Sequence, residues 1–263
     1  MSFTIDLSNK VVLVTGVSSG IGLGAAGEFA RAGAWVAGCS RKSPTDASSI
    51  TFCETVEKEG SHALYVQADV TSASELAYFV EKTISTFGRI DIVVSNAGAN
   101  IFEGAEHCSE EQWQHNLDLN LASHWRLARF CKPYLEKSEE GVLLLMTSNH
   151  AFSSIPGCFP YNITKTAITG LVRSLTIEWG PGIRTVGIAP GFIDTAGNDT
   201  WFNSFPDAAA ERQRTIDLHP VKRIGTVDEV GALCVYLASP MARFISGTTI
   251  LMDGGRSALM QDS

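Results

Sequence analysis

The stretch Lys10-Val-Val-Leu-Val-Thr15-Gly16-Val17-Ser18-Ser19-Gly20-Ile21-Gly22 decides how the rest of the chain is read. Its first half is apolar, rich in β-branched residues and ends at glycine, the pattern of a strand covered on both faces in a parallel sheet. Beyond it Ile21, Ala25, Phe29 and Ala30 recur at helical spacing, while Glu28 and Arg31 fall on the outer face. Gly33 then stands where a helix C-terminal cap belongs. Between strand and helix the order Gly-x-x-x-Gly-x-Gly allows a tight turn and a close backbone approach to a ligand. The helix start adds unpaired N–H groups and a positive dipole end, so Gly16, Ser18, Ser19, Gly20, Ile21 and Gly22 suit a diphosphate. An ordinary strand-to-helix loop is the other reading, and the strand before and helix after count against it.

The cycle repeats along the chain. Residues 34–39, 63–67, 90–95, 142–147 and 183–189 are further expected strands, and helical stretches separate most of them. After Pro190-Gly191 comes an irregular or partly helical insertion, about 192–219, carrying Gly197, Pro206 and the aromatics Phe192, Trp201, Phe202 and Phe205. Long insertions are often lids, and these aromatics suit a pocket cover and an anchor to the body equally well. From Thr226 a helix with Val230, Leu233, Cys234 and Leu237 precedes a last strand, 248–252, that ends at Asp253-Gly254-Gly255. Alternating strands and helices predict an α/β fold: a doubly wound parallel sheet with helices on both faces, in three αβα layers.

Composition agrees with one folded domain over residues 1–263, since no repeat, low-complexity tract or linker divides the chain. Hydrophobic residues at 44% and 24 Gly against 9 Pro fit neither a disordered polymer nor a collagen repeat. The net charge of −8 argues against nucleic acid and anionic membranes and for a small-molecule substrate. The first residues lack a secretory leader, and no run of 18 apolar residues occurs, so a cytoplasmic protein is expected. Cys39, Cys53, Cys108, Cys131, Cys158 and Cys234 form no Cys-x-x-Cys pair and read as buried thiols, with disulfides or zinc the alternative. The histidines show no ligand spacing either, and no metal is expected.

A binder of an unphosphorylated ribose would place an acid about 20 residues past the glycine loop, at the end of the second strand. This chain has Ser40-Arg41-Lys42 there. A guanidinium and a hydroxyl can hold a 2′-phosphate, which favours NADP over NAD. The loop Val17-Ser18-Ser19 carries no basic residue, which leaves a solvated Arg41-Lys42 pair open. At the chemical end, Tyr161 and Lys165 are four apart in a helical stretch and project from one face, about 6 Å apart along the axis. Ser148 follows an apolar strand, at the sheet edge where open α/β folds bind ligands.

With these pieces in order, the chain resembles the short-chain dehydrogenase/reductase family over nearly its whole length. The matching segments are Thr15 to Gly22, Ala68-Asp69-Val70, Asn96-Ala97-Gly98, Asn120, Ser148, Tyr161-x-x-x-Lys165 and Pro190-Gly191. Val186 and the run Asn162-Ile163-Thr164 depart from the family pattern, which weakens any transfer of substrate identity. The resemblance implies a Rossmann-like fold, a catalytic tetrad of Asn120, Ser148, Tyr161 and Lys165, and adenine contacts from Asp69 and Val70. It also implies that Asn96, Ala97 and Gly98 line the cofactor, and that Pro190, Gly191, Ile193 and Thr195 hold its nicotinamide end. Lys165 would bind the nicotinamide ribose and Asn120 would hold a relay water. Homotetramers or dimers are expected on the same ground, with the helices from Trp113 and from Tyr161 and the apolar C-terminal strand as candidate faces.

Elementary electrostatics speaks to the tyrosine independently. A free phenol titrates near pKa 10, too high for a base at neutral pH. An ammonium at about 5 Å and an effective dielectric of about 20 favours phenolate by roughly 3 kcal/mol, about two pKa units before desolvation opposes it. Ser148 would hydrogen-bond the substrate oxygen. The expected activity is therefore hydride transfer between NADP(H) and a secondary alcohol or ketone, a 3-oxoacyl group being one candidate, with Tyr161 as acid/base. The alternatives are an NAD(H)-preferring alcohol or sugar-alcohol dehydrogenase, and a non-catalytic NADP-binding regulatory protein. His150, two residues beyond Ser148, could touch substrate, but a loop histidine is more often incidental and stays outside the catalytic set.

Overall fold

Strand β1 (Val11–Thr15) is buried at every position, as its unbroken apolar run requires, and the computed structural model, which describes residues 4–259, builds the sheet around it. In chain order the elements are α1 (Gly20–Arg31), β2 (Trp35–Ser40), α2 (Ala47–Glu57), β3 (Ala63–Gln67), α3 (Ala73–Phe87) and β4 (Ile92–Ser95). Then come α4 (Glu110–Leu117), α5 (Ser123–Leu135), β5 (Gly141–Met146), α6 (Tyr161–Trp179), β6 (Ile183–Pro190), α7 (Ala196–Phe202), α8 (Ala208–Asp217), α9 (Val227–Ala238) and β7 (Thr249–Met252). All pairings are parallel and the strand order is β3-β2-β1-β4-β5-β6-β7. The expected doubly wound sheet is the one observed.

Register follows from the two-residue period of a strand. Val12 pairs with Val36 on one side and Ile92 on the other, and with Val14 these residues face a core shared with Phe29 of α1, Phe52 of α2 and Val230 of α9. Leu13, one residue out of phase, faces the opposite core with Phe79 of α3, Leu127 of α5, Leu143 and Val172 of α6. Burying a Leu or Phe side chain of this kind contributes about 1.5–3 kcal/mol. Helices α1 and α9 approach closely because small residues meet: a Cβ on Gly24 would lie 2.7 Å from that of Val227, and one on Gly231 would lie 3.0 Å from the Gly24 carbonyl.

Because β1 pairs with both β2 and β4, the chain leaves the two sides of β1 in opposite directions and opens a crevice at the C-terminal strand ends. The strand expected over 90–95 starts at Ile92, since Asp91 is engaged otherwise: its carboxylate accepts from Val11 N, Arg89 and Ser138. The insertion folds into α7 and α8, capped by Thr195 and Asp207. Its aromatics pack on one another, Phe192 against Trp201 and Phe202 at 5.6 and 5.4 Å between ring centroids and Trp201 against Phe205 at 4.8 Å. Phe202 is buried while Trp201 remains half-exposed. All six cysteines are free, and Cys53 and Cys108 are partly exposed rather than buried. Among the described residues no helix is long and apolar enough to cross a membrane.

Candidate active site

The crevice is floored by the glycine loop. Gly16 and Gly20 take φ of +77° and +60°, a region closed to most side chains. A Cβ on Gly22 would sit 2.2 Å from the Gly16 carbonyl and 2.7 Å from Asn96 Nδ2, so the turn is too tight for any other residue. Val17 points down into the core, leaving Ser18 and Ser19 outside it. Ser19 caps α1 without a side-chain hydrogen bond, whereas α2, α3, α4, α7, α8 and α9 all have a side chain on their first N–H groups. The start of α1, including Ile21, therefore keeps donors available at the crevice, as a diphosphate requires.

Neighbouring strand ends are tied to this loop. Thr15 Oγ1 accepts from the backbone N–H groups of Asn96 and Ala97, both 3.0 Å, and Asn96 Nδ2 donates to the Thr15 carbonyl at 2.9 Å. Asn96 thus braces β4 against β1, and Gly98 beyond it is exposed. A Cβ on Gly98 would meet Asn120 Oδ1 at 2.7 Å and Lys165 Nζ at 3.4 Å, which puts these three residues at one point.

Asn120 lies on a single π-helical turn, Asp118–Ala122, inserted between α4 and α5. Such turns often mark functional positions. Its amide is held on both sides: Oδ1 accepts from Ala99 N at 3.0 Å, and Nδ2 donates to the Ala99 carbonyl and to Asn116 Oδ1, each at 2.9 Å. Asn116 in turn donates to the Pro160 carbonyl at 3.1 Å, just before Tyr161 opens α6. Lys165, one turn on, is buried and donates through Nζ to the Met146 carbonyl at 3.1 Å, and its ammonium lies 5.5 Å from the Tyr161 ring centroid. Ser148, past the end of β5, accepts from His150 N at 3.2 Å and stands near enough to the Tyr161 phenol to lower its pKa.

Burial pushes the Tyr161 phenol up to about 12, against the lowering effect of the Ser148 hydrogen bond. Burial alone pulls the Lys165 ammonium down to about 8. Charge attraction was expected to make the phenol acidic, and burial prevails over it. An amine that has lost its proton near pH 8 offers no charge to a phenol that titrates near 12.

A family model described as "Enoyl-(Acyl carrier protein) reductase" matches residues 16–257. An uncharacterized oxidoreductase of Thermotoga maritima is 32% identical over 97% of this chain and 100% of its own. The human dehydrogenase/reductase SDR family member 4 is 32% identical over 95% of this chain and 88% of its own. The chain belongs to the short-chain dehydrogenase/reductase family. A solved structure of Thermoplasma acidophilum aldohexose dehydrogenase, 28% identical, superposes with a TM-score of 0.89 over 99% of each chain. The protein is accordingly an oxidoreductase that uses a nicotinamide cofactor, NAD or NADP.

For a short-chain dehydrogenase/reductase the rest of the crevice can be read residue by residue. Asp69 Oδ1 accepts from Thr71 N and Oγ1 at 2.9 and 2.7 Å, leaving Oδ2 outside these bonds, and Val70 beside it is buried. At the end of β2, the Ser40 hydroxyl is bonded to Tyr65 Oη at 2.8 Å and accepts from Lys42 N at 3.2 Å. Lys42 leans toward Asp46 at 3.9 Å, while Arg41 is exposed and pairs with no carboxylate among the described residues. Across the crevice Pro190 ends β6, Gly191 packs against Asp253, Ile193 is buried and Thr195 caps α7. A Cβ on Gly20 would meet Thr195 Cγ2 at 3.4 Å, so this segment touches the glycine loop. These residues fit a dinucleotide laid from Arg41 to Lys165.

Three supporting residues escaped the sequence reading. Thr15 and Asn116 brace the loop and Asn120 as described, and Thr147 Oγ1 donates to the Lys165 carbonyl at 2.6 Å. Asn116 is four residues before Asn120, one helical turn, and that spacing was the signal available. His150, set aside from the sequence, packs edge-on against Tyr161 at 6.2 Å and against Phe102 at 5.8 Å.

Proposed function

We propose that the protein is an NADP(H)-dependent oxidoreductase that interconverts a ketone and a secondary alcohol, with Tyr161 as the acid/base. The observation that carries this reading is the buried Tyr161 phenol, with Ser148 beside it and the Lys165 ammonium 5.5 Å from its ring, at the strand ends beside the glycine loop. Ser148 holds the substrate oxygen, and Tyr161 gives that oxygen a proton in reduction or takes one in oxidation. The nicotinamide ring, when bound, supplies or accepts the hydride. A phenol that stays protonated through neutral pH is ready as an acid, which suits reduction. Lys165 biases the phenol toward phenolate while it carries charge and binds the nicotinamide ribose. Asn120 holds the local backbone and a relay water, in keeping with its clamped amide.

Arg41, with the Ser40 turn behind it, holds the 2′-phosphate of NADP. Asp69 and Val70 receive the adenine, and Pro190, Gly191, Ile193 and Thr195 the nicotinamide amide. Residues 192–219 cover the substrate within one domain, and the enzyme works as a cytoplasmic homo-oligomer. Ile163, Gly170 and Ile177 support the last point: they recur every seven residues on α6, and Ile163 and Ile177 are exposed. The test is oxidation of NADPH and NADH over a panel of ketones, repeated with Tyr161→Phe. That change keeps the ring and removes the proton, and it is expected to lower kcat by about 10²–10⁴-fold. Activity within threefold of the parent would remove Tyr161 from the mechanism.

A further inference from the structure

Past β7 the chain enters a short turn, Arg256–Ala258, shaped by Asp253. The Asp253 carboxylate is buried and accepts from the N–H groups of Gly255 at 3.0 Å and Ser257 at 2.7 Å. It lowers the local potential, yet lies beyond ion-pair distance of the Arg256 guanidinium. Arg256 is half-buried, and among the described residues its side chain has no hydrogen bond, ion pair or ring contact. The other half-buried arginines are all paired: Arg184 donates to the carbonyls of Ile245 and Leu237 at 3.1 and 2.8 Å, Arg126 to Thr71 and Asp118, and Arg212 to Asp194 and Asp199. Arg256 therefore stands out as a partly desolvated cation without an acceptor, an arrangement that is costly unless an anion completes it.

Its surroundings share this incompleteness. The charged groups that act on Arg256 or feel it are His150, His219, Asp253 and Arg214, the last of which is paired with Glu211. His219 bonds through Nδ1 to the Thr215 carbonyl at 2.7 Å, and its Nε2 is buried without a partner. His150 Nδ1 and Ser257 Oγ are buried and unpartnered as well. Unpartnered buried polar atoms are few in a folded chain; of these, Ser257 adjoins Arg256, and His219 lies 3.5 Å from where a Cβ on Gly254 of the same turn would stand. Burial, and after it the Arg256 charge, holds both imidazoles below their usual range. His150 also links the cluster to the chemistry, since its ring lies edge-on to Tyr161.

We propose that Arg256, flanked by His219 and His150, is an anion subsite of the substrate pocket, which receives a carboxylate or phosphate borne by the substrate whose carbonyl sits at Ser148 and Tyr161. This rests on the oxidoreductase reading and narrows it to oxo acids or phosphorylated ketones. A guanidinium is suited to either group because its fork of N–H donors matches two oxygens at once.

The test compares matched pairs of ketones in the parent enzyme and in Arg256→Gln: levulinate with methyl levulinate, and dihydroxyacetone phosphate with dihydroxyacetone. In the parent, kcat/KM for an anionic member is expected to exceed that of its neutral partner by about tenfold to a hundredfold, the range for one charged hydrogen-bonding group. In Arg256→Gln that ratio is expected to fall to near one, with Arg256→Lys between the two. The pair that shows the ratio tells carboxylate from phosphate. Independently, calorimetric titration of levulinate and of inorganic phosphate into the cofactor-free protein is expected to show binding that Arg256→Gln weakens about tenfold or more. A parent enzyme indifferent to charge, or a ratio that survives in Arg256→Gln, would overturn the proposal. If no carbonyl compound is reduced with either cofactor, the oxidoreductase reading of the site fails and the titration alone decides: loss of binding in Arg256→Gln sustains the subsite, and absence of binding in the parent rejects it.

Discussion

Replacing Lys165 with methionine separates what the ammonium does to the phenol from what it does to a cofactor. The Nζ lies 5.5 Å from the Tyr161 ring centroid. For charges about 5 Å apart, an effective dielectric of about 20 gives about 3 kcal/mol in favour of phenolate, roughly two pKa units. The benefit exists only while Lys165 is protonated, and burial brings its deprotonation to about pH 8. The sign is therefore fixed. Below about pH 8 the parent enzyme has an assisted phenolate, and Lys165→Met lacks it. Well above that pH both enzymes carry an unassisted phenol, set near 12 by burial.

Alcohol oxidation consumes the phenolate, so Lys165→Met should lower kcat at saturating cofactor near pH 7. The full population effect is about a hundredfold, and a weaker base in the parent offsets part of it, so the expected loss lies between about tenfold and about a hundredfold. The deficit should shrink steadily as the pH rises toward about 10. The assay is the steady-state rate of cofactor reduction by a secondary alcohol from about pH 6 to about pH 10, with Lys165→Arg as the variant that stays charged throughout. A deficit of the same size at every pH would refute the electrostatic argument and leave Lys165 a binding role alone.

The remaining expectations are shorter. Arg41→Asp should reduce kcat/KM for NADPH by about tenfold to a hundredfold while NADH loses less than about threefold, and equal loss for both would refute the phosphate assignment. Gly22→Ala drives a Cβ to 2.2 Å from the Gly16 carbonyl. The Gly16 backbone on one side and the clamped Asn96 amide on the other resist it, so about 1–3 kcal/mol of stability should go, seen as a Tm lower by about 5 °C together with weaker cofactor binding by calorimetry. Ile177→Glu places a charge on the exposed face of α6, where a monomer would lose less than about 0.5 kcal/mol. Light scattering should show a smaller assembly for this variant, and an unchanged mass would mean that α6 does not join subunits.

Local pattern carries the sheet because each strand is a short apolar run whose burial on both faces leaves it no other solution. The strand expected over 63–67 is β3 itself, and the others differ by a residue or two where hydrogen bonding, not hydrophobicity, sets the end, as at Asp91. The helical spacing of Tyr161 and Lys165 was equally legible, since one turn of α6 is a local matter. The π-helical turn at Asn120 was not, because its bonds to Ala99 and Asn116 come from packing and leave no periodic trace.

Sequence by itself determined the layer architecture, the place of the glycine loop and the family, all properties of spacing along the chain. Tertiary structure alone decided the protonation of Tyr161, since desolvation depends on what surrounds a group rather than on its neighbours in sequence. It also decided that, among the described residues, the Arg256 side chain has no acceptor while Arg184 has two carbonyls. Nothing in either arginine's local sequence distinguishes them, because the partners of a buried charge are contributed by segments that only folding brings together.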